Sequence, residues 1–137
     1  MDYKEKVKYF YEHVTSNHLI SEVPDYVSEE CVIRLGDKTI PVGVSGMQQH
    51  MIEVRTTYPD LKMSITRQYC DGSFVISEFI MEGTHKGEWL GMKPSGKKLC
   101  ITGVNVDKVI DGKIMEHGGA ANTFEALFEA RIICPAL

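Results

Sequence analysis

The hydrophobic pattern changes from a helical to an alternating period near residue 60, and this change constrains the fold more than any other feature of the sequence. Between Leu61 and Tyr69, large and mostly apolar residues alternate with polar ones, which is typical of a half-buried strand. Two Asp-Gly pairs, at 71–72 and 111–112, favour tight turns. The sequence therefore predicts antiparallel strands over residues 61–69, 73–85, 98–110 and 113–117.

The strand predicted over residues 73–85 carries apolar side chains at both parities. One set is Phe74, Ile76 and Ile80, and the other is Val75, Phe79 and Met81. Because alternate side chains of a strand point to opposite sides of its sheet, we expect both faces to be covered. An apolar outer face is the expected mark of an interface with a second copy.

The first 60 residues favour helices. An apolar stripe at i, i+3, i+4 and i+7 predicts an amphipathic helix over residues 2–14. A short helix is expected over residues 21–28, with Pro24 near its first turn, and a strand over residues 31–35. A third helix is expected to begin at Ser45, whose hydroxyl and Gln48 resemble a capping box, and to end near Tyr58.

Residues 122–135 predict a last helix, capped by Asn122 or Thr123 and ended by Pro135. Helices that precede a run of long antiparallel strands are typical of the α+β class. We expect one domain over residues 1–137, a cone-shaped α+β barrel. In it, a curved antiparallel sheet has three N-terminal helices on its concave face and a short C-terminal helix, and the open end forms a cleft.

Composition excludes several classes of function. The net charge of -4, without a basic block, argues against a nucleic-acid partner. The N-terminus is charged from its second residue and lacks a long apolar run, so we expect no membrane partner and a cytoplasmic protein. The sequence has no phosphate loop, dinucleotide fingerprint or nucleophile elbow, and the five histidines lack a metal-ligand spacing. We therefore expect neither a metal nor another cofactor.

The four cysteines are far apart, and none forms a Cys-x-x-Cys pair. Such spacing does not fit a zinc or redox motif. Free cysteine is among the most buried residue types. We therefore expect buried thiols at Cys31, Cys70, Cys100 and Cys134.

His117 is the most prominent candidate for chemistry. It ends a predicted strand and precedes four small residues, 118–121, which either widen a cavity or make a tight connection to the last helix. Because imidazole titrates near neutrality, His117 in a cleft could move a proton, or it could bond the strand end structurally. Asp107 shares a strand face with Asn105 and could supply a carboxylate.

Other candidates are weaker, and each has a structural alternative. Trp89 is either a lid over an apolar ligand or a ring packed on its own loop. His85 contacts a ligand or bonds nearby backbone, and His50 and Glu53 are expected on a solvated helix face. The residues expected to line the cleft, or else to pack in the core, are Tyr11, Met47, Met51 and Val54.

Several motifs occur together in the second half. They are Tyr58-Pro59-Asp60-Leu61, Gly83-Thr84-His85-Lys86-Gly87, Leu90-Gly91, Pro94-Ser95-Gly96, Asp111-Gly112-Lys113-Ile114 and Glu116-His117. This order resembles the SnoaL-like polyketide cyclases of the nuclear transport factor 2-like, ketosteroid-isomerase-like superfamily. The resemblance implies a curved sheet capped by helices, a deep apolar pocket and a homodimer formed through the outer sheet face.

The resemblance also implies cofactor-free chemistry on a polycyclic or other carbonyl compound. The family's acid/base pair corresponds to Gly119 and Asn105, and neither can titrate. Two hypotheses follow. The chain is a cyclase, isomerase or lyase in which His117 or Asp107 moves the proton and Asn105 or Tyr11 polarises an oxygen, or it is a non-catalytic module for small-molecule binding or dimerisation.

Overall fold

The computed structural model describes residues 2–134 and 136, which form three α-helices, two other helical segments and six strands. Helix α1 (Tyr3–Tyr9) continues directly into a π-helical segment (Phe10–Thr15), and a 3-10 helix (Ile20–Asp25) follows. The remaining elements are β1 (Val27–Leu35), β2 (Lys38–Pro41), α2 (Gly43–Thr57), β3 (Lys62–Asp71), β4 (Phe74–Thr84), β5 (Lys98–Ile110), β6 (Lys113–Ala121) and α3 (Thr123–Glu129).

The six strands form one curved, open sheet in the order β2-β1-β6-β5-β4-β3. Neighbouring strands are antiparallel except β1 and β6, which run parallel. The α+β class and the curved sheet are thus confirmed. The parallel pair was not predicted, because β1 lies far from β6 in sequence and carries no signal of its direction.

The inner face of the sheet carries the core. On β5, Ile101, Asn105, Asp107 and Val109 are buried, whereas the alternate residues point to the outer face. Val7, Phe10, Tyr11 and Val14 of the N-terminal helix are also buried, as the apolar stripe predicted. Residues 10–15 form a π-helix instead of continuing the α-helix expected over residues 2–14.

Several predicted element ends differ from the structure. Helix α2 begins at Gly43, and its N-cap Val42 makes no side-chain bond, so the capping box expected at Ser45 is wrong. The Gln48 amide instead donates to the Ile20 carbonyl over 3.0 Å. A capping box does occur at Asp2 and Glu5, where none was predicted.

The other boundaries were also displaced. Residues 27 and 28 belong to β1 and not to the second helix, which is a 3-10 helix that contains Pro24. Strand β2 was not predicted, since its four residues are all exposed and give no hydrophobic period. Helix α3 ends at Glu129. Pro135, expected to end that helix, lies outside the described residues.

Three of the four cysteines contradict the expected burial. Cys31 is buried, whereas Cys70, Cys100 and Cys134 are exposed. Cys100 has the outward parity of β5, Cys70 lies near the end of β3, and Cys134 follows α3. Within the described residues, no helix is long and apolar enough to span a membrane.

Candidate active site

A cavity of about 460 Å³ lies between the inner face of the sheet and the helices that cover it. Apolar side chains form most of its wall. They come from the π-helical segment (Phe10), from α2 (Met47, Met51) and from the sheet (Phe79, Ile101). The polar side chains on the wall include Tyr11, Asn105 and His117, so the cavity has a small set of hydrogen-bonding groups in an apolar setting.

Asp107 and His117 are cross-strand neighbours on β5 and β6. The Nδ1 atom of His117 is 2.7 Å from Oδ1 of Asp107. The Asp107 side chain is fully buried, whereas that of His117 is 18% exposed and lines the cavity. Because Nδ1 is engaged by the carboxylate, Nε2 is the ring nitrogen left for a bound molecule.

Tyr11 holds the second oxygen of the same carboxylate. Its hydroxyl donates to Oδ2 of Asp107 over 2.7 Å and lies 3.1 Å from Nδ1 of His117. Since the phenol hydrogen is used on Asp107, we assign the Nδ1 hydrogen to Asp107 as well. Tyr11 lies in the π-helical segment, a rare geometry that often occurs at functional sites.

The electrostatics centre on the Asp107 carboxylate. Burial lowers the pKa of His117, but its hydrogen bond to Asp107 and the charge of that carboxylate raise it, and the net pKa lies above the usual 6.5. Burial first, and then the charge and hydrogen bond of Asp107, raise the pKa of Tyr11 well above 10. Burial and then Asp107 raise the pKa of Cys31 to about 11. Tyr11 and Cys31 therefore stay neutral, and His117 is the side chain near Asp107 that gains a proton most readily.

A β-bulge determines which residue of β6 faces Asp107. The pairing runs Val109 with Ile114 and then Lys108 with Glu116, so Met115 is an extra residue. Beyond the bulge, His117 faces Asp107 on the inner side. Glu116 points outward and forms ion pairs with Arg34 (3.1 Å) and Lys108 (3.5 Å).

Asn105 lies directly opposite Gly119 in the same ladder. Gly119 has a φ of 146°, and a Cβ atom there would lie 2.1 Å from the carbonyl oxygen of Val104. Residues 118–121 belong to β6, so the alternative that they connect the strand to the last helix is wrong. The close approach of the Val104 backbone leaves no room for a side chain at position 119. Ala121, by contrast, lines the cavity.

A sequence profile described as SnoaL-like polyketide cyclase matches residues 5–128. The chain belongs to the SnoaL-like polyketide cyclase family. This confirms the resemblance seen in the motifs of the second half. A search of the curated proteins finds no significant match.

Solved structures of the same fold are similar over nearly the whole chain. IdmH from Streptomyces antibioticus, described as a candidate polyketide cyclase, is 21% identical, with 96% of this chain and 99% of that chain covered and a TM-score of 0.82. A SnoaL-like polyketide cyclase from Agrobacterium tumefaciens is 14% identical, with 96% and 99% covered and a TM-score of 0.82. AclR from Streptomyces galilaeus, described as a candidate hydroxylase, is 20% identical, with 99% and 91% covered and a TM-score of 0.81. At these identities the likeness shows the fold alone.

The remaining predicted residues of this SnoaL-like protein fall into two groups. Met47, Met51 and Trp89 line the cavity. The Trp89 ring packs edge-on against Tyr58, with ring centroids 6.3 Å apart. His85 is fully buried, its Nδ1 is 3.0 Å from the Ser95 hydroxyl, and it is not among the residues that line the cavity.

His50 is a cavity residue that was not predicted as one from the sequence. It is exposed, as expected, but it also lines the cavity, as does Glu53. Met47, His50, Met51 and Val54 follow the spacing i, i+3, i+4 and i+7, so the signal was present in the sequence. Among the described residues, no group of three His, Cys, Asp or Glu side chains could hold a metal ion.

Proposed function

We propose that this protein is a cofactor-free enzyme that moves protons on an apolar carbonyl compound, with Asp107 and His117 as its acid pair. The observation that carries the proposal is the 2.7 Å contact between His117 Nδ1 and Asp107 Oδ1, with the imidazole on the cavity wall. A buried carboxylate behind an imidazole orients the ring and stabilises its charged form.

In the proposed step, the His117 imidazolium donates its Nε2 proton to a carbonyl oxygen while the neighbouring carbon loses a proton. The product is an enol, and the charge of Asp107 compensates the imidazolium before the transfer. Asn105 lines the same cavity, and its amide can donate a second hydrogen bond to that oxygen. The phenol of Tyr11 is already used on Asp107, so we assign Tyr11 the role of holding the carboxylate.

Family membership and the apolar wall support a polycyclic or other cyclic ketone as the substrate class. An enol formed in the cavity can attack a second carbonyl group of the same molecule and close a ring. The step also needs a base to accept the carbon-bound proton, and the Asp107–His117 pair does not supply it.

The second candidate is a non-catalytic small-molecule-binding module. It is favoured by Gly119 and Asn105, the residues that the sequence resemblance assigns to the family's acid/base positions, because neither can titrate. In this case Asp107 and His117 would fix the strand ends, and the cavity would only hold a ligand.

Exchange of the α-protons of cyclic ketones in D₂O, followed by NMR, separates the two candidates. We expect exchange in the wild type and a loss of about 10²- to 10⁴-fold in His117→Ala, the usual contribution of one general acid or base. His13→Ala is the matched control, because His13 is exposed and outside the cavity. Binding of a ketone without exchange in the wild type would favour the binding module.

We further propose that the protein forms a homodimer through the outer face of its sheet. Tyr69, Ile76 and Val106 are paired across three neighbouring strands and form an apolar row. Tyr69 is 48% and Val106 is 38% exposed in the single chain. Light scattering should give twice the 15.4 kDa chain mass for the wild type and for Ile52→Lys on α2, and the single mass for Val106→Lys. A monomeric wild type would contradict the dimer.

A further inference from the structure

We propose that His50 is the second proton-transfer residue of the cavity and accepts the carbon-bound proton while His117 serves the carbonyl oxygen. This inference rests on the proposed function and supplies the base that the proposed step lacks. A substrate would then lie between two imidazoles, one from the helical wall and one from the sheet.

The position of His50 follows from the geometry of α2. The stripe of Met47, His50, Met51 and Val54 is one face of the helix, and all four residues line the cavity. His117 lines the same cavity from β6. Helix α2 therefore presents an imidazole to the space that the Asp107–His117 pair borders from the sheet.

The two histidines have opposite electrostatic settings. Partial burial and the nearby charge of His117 lower the pKa of His50 below 6.5, although Glu53 opposes this. The Asp107 carboxylate keeps the pKa of His117 above 6.5 despite its burial. Titratable groups whose pKa values are pushed apart are suited to act as base and acid at the same pH. The other titratable or charged side chains on this cavity wall are Tyr11, Glu53, Arg55 and Tyr58.

The proton balance of the step closes without a further reactant. Neutral His50 takes a proton from the carbon next to the carbonyl group, and the His117 imidazolium gives a proton to the oxygen. The reverse transfers restore both residues, and the proton that His50 returns can be one taken from solvent. His50 is exposed and lines the cavity, whereas Asp107 is fully buried. His50 is therefore also the residue through which protons exchange with solvent.

A base on α2 and an acid on β6 restrict which substrates can react. The substrate is a ketone with an acidic C–H bond that points toward the helical wall when its oxygen points toward β6. Such a molecule must fit a cavity of about 460 Å³ with apolar walls, which favours a small ring system over a chain with several charges.

The test compares α-proton exchange of cyclic ketones in the wild type, His117→Ala, His50→Ala and the control Gln49→Ala. Gln49 is exposed on α2 and is not a cavity residue. We expect His50→Ala to exchange about 10²- to 10⁴-fold more slowly than the wild type and Gln49→Ala to match it. In the wild type the rate of α-proton exchange should rise as the pH passes through the lowered pKa of His50, because the base is then neutral. This rise should be absent from the pH profile of His50→Ala.

A second measurement needs no substrate. NMR titration of His50 should give a higher pKa in His117→Ala than in the wild type, because the repulsion by the His117 imidazolium is removed. An unchanged His50 pKa, or a His50→Ala variant with wild-type exchange beside an inactive His117→Ala, would overturn the inference and leave the proposed function standing. A wild type that exchanges no ketone would overturn both.

Discussion

Asp107 faces His117 across β5 and β6, two residues along the ladder from the Asn105–Gly119 pair. Because strand side chains alternate, the two pairs lie on the same side of the sheet. Neither Asn105 nor Gly119 carries a titratable group. The next pair that faces inward is Asp107 and His117, which places a carboxylate on β5 opposite an imidazole on β6.

Gly119 cannot accept a side chain in this backbone. A Cβ atom would lie 2.1 Å from the Val104 carbonyl oxygen, at a φ that L-residues rarely adopt. We expect Gly119→Ala to lower the free energy of unfolding by about 2–5 kcal/mol from overpacking and backbone strain. Gly118→Ala is the control, since its Cβ would lie 3.3 Å from the Arg34 carbonyl oxygen. Equal urea midpoints for the two variants would contradict this account.

Asp107→Asn should remove the cause of the raised His117 pKa. The amide keeps the size of the side chain but loses the negative charge, while the burial that lowers the pKa remains. We expect the His117 ring protons to titrate at a lower pH in the variant, as measured by NMR. Asp37→Asn, in an exposed turn, should leave the titration as in the wild type. If the His117 pKa is the same in Asp107→Asn as in the wild type, the Asp107 carboxylate is not what raises it.

The contribution of His117 to stability should depend on pH. Because its folded pKa lies above the unfolded value near 6.5, the contribution is complete below pH 6.5 and is lost as pH rises through the folded pKa. His50 has the opposite sign, since its lowered pKa makes it unfavourable at low pH. The difference in unfolding free energy between the wild type and His117→Gln measures the contribution of His117. This difference should shrink as the pH rises from 5.5 to 8.5. A difference that stays constant or grows would show the sign to be wrong.

Tyr11→Phe should destabilise the fold by leaving Oδ2 of buried Asp107 without its donor. Hydrogen bonds to charged groups contribute about 1.5–3 kcal/mol, and we expect a loss of that size in chemical denaturation. Tyr26→Phe is a matched control, because the Tyr26 hydroxyl makes no hydrogen bond within the described residues. Equal stabilities of the two variants would mean that the phenol does not hold the carboxylate.

The strands were predictable because their signal is local. Strands β3, β4 and β5 begin and end within two residues of the predicted limits, as alternation and the Asp-Gly pairs require. Strand β6 extends four residues beyond its predicted end, since small residues carry little periodic signal. The π-helical segment left no signal either, because its inward residues also fit an α-helical stripe.

The pairing of Asp107 with His117 was not predictable from the turn alone. Counting back from the turn at 111–112 places Glu116 opposite Asp107, and the bulge at Met115 moves His117 into that position. Both residues were identified as candidates, but singly. His50 was missed because the neighbouring Arg55 and Glu53 outweighed its spacing with Met47 and Met51.

The extra residue at Met115 also has an evolutionary consequence. Deleting Met115 would leave His117 opposite Asp107 in a regular ladder. If the same residues instead paired without the bulge, Met115 would face Lys108 and Glu116 would turn inward beside Asp107, while His117 would turn outward. Two carboxylates at that distance share one proton, which is a different reagent from a carboxylate and an imidazole. A lineage could therefore exchange one kind of acid for another by losing the bulge while keeping every residue of the strand, without mutating either reactive residue.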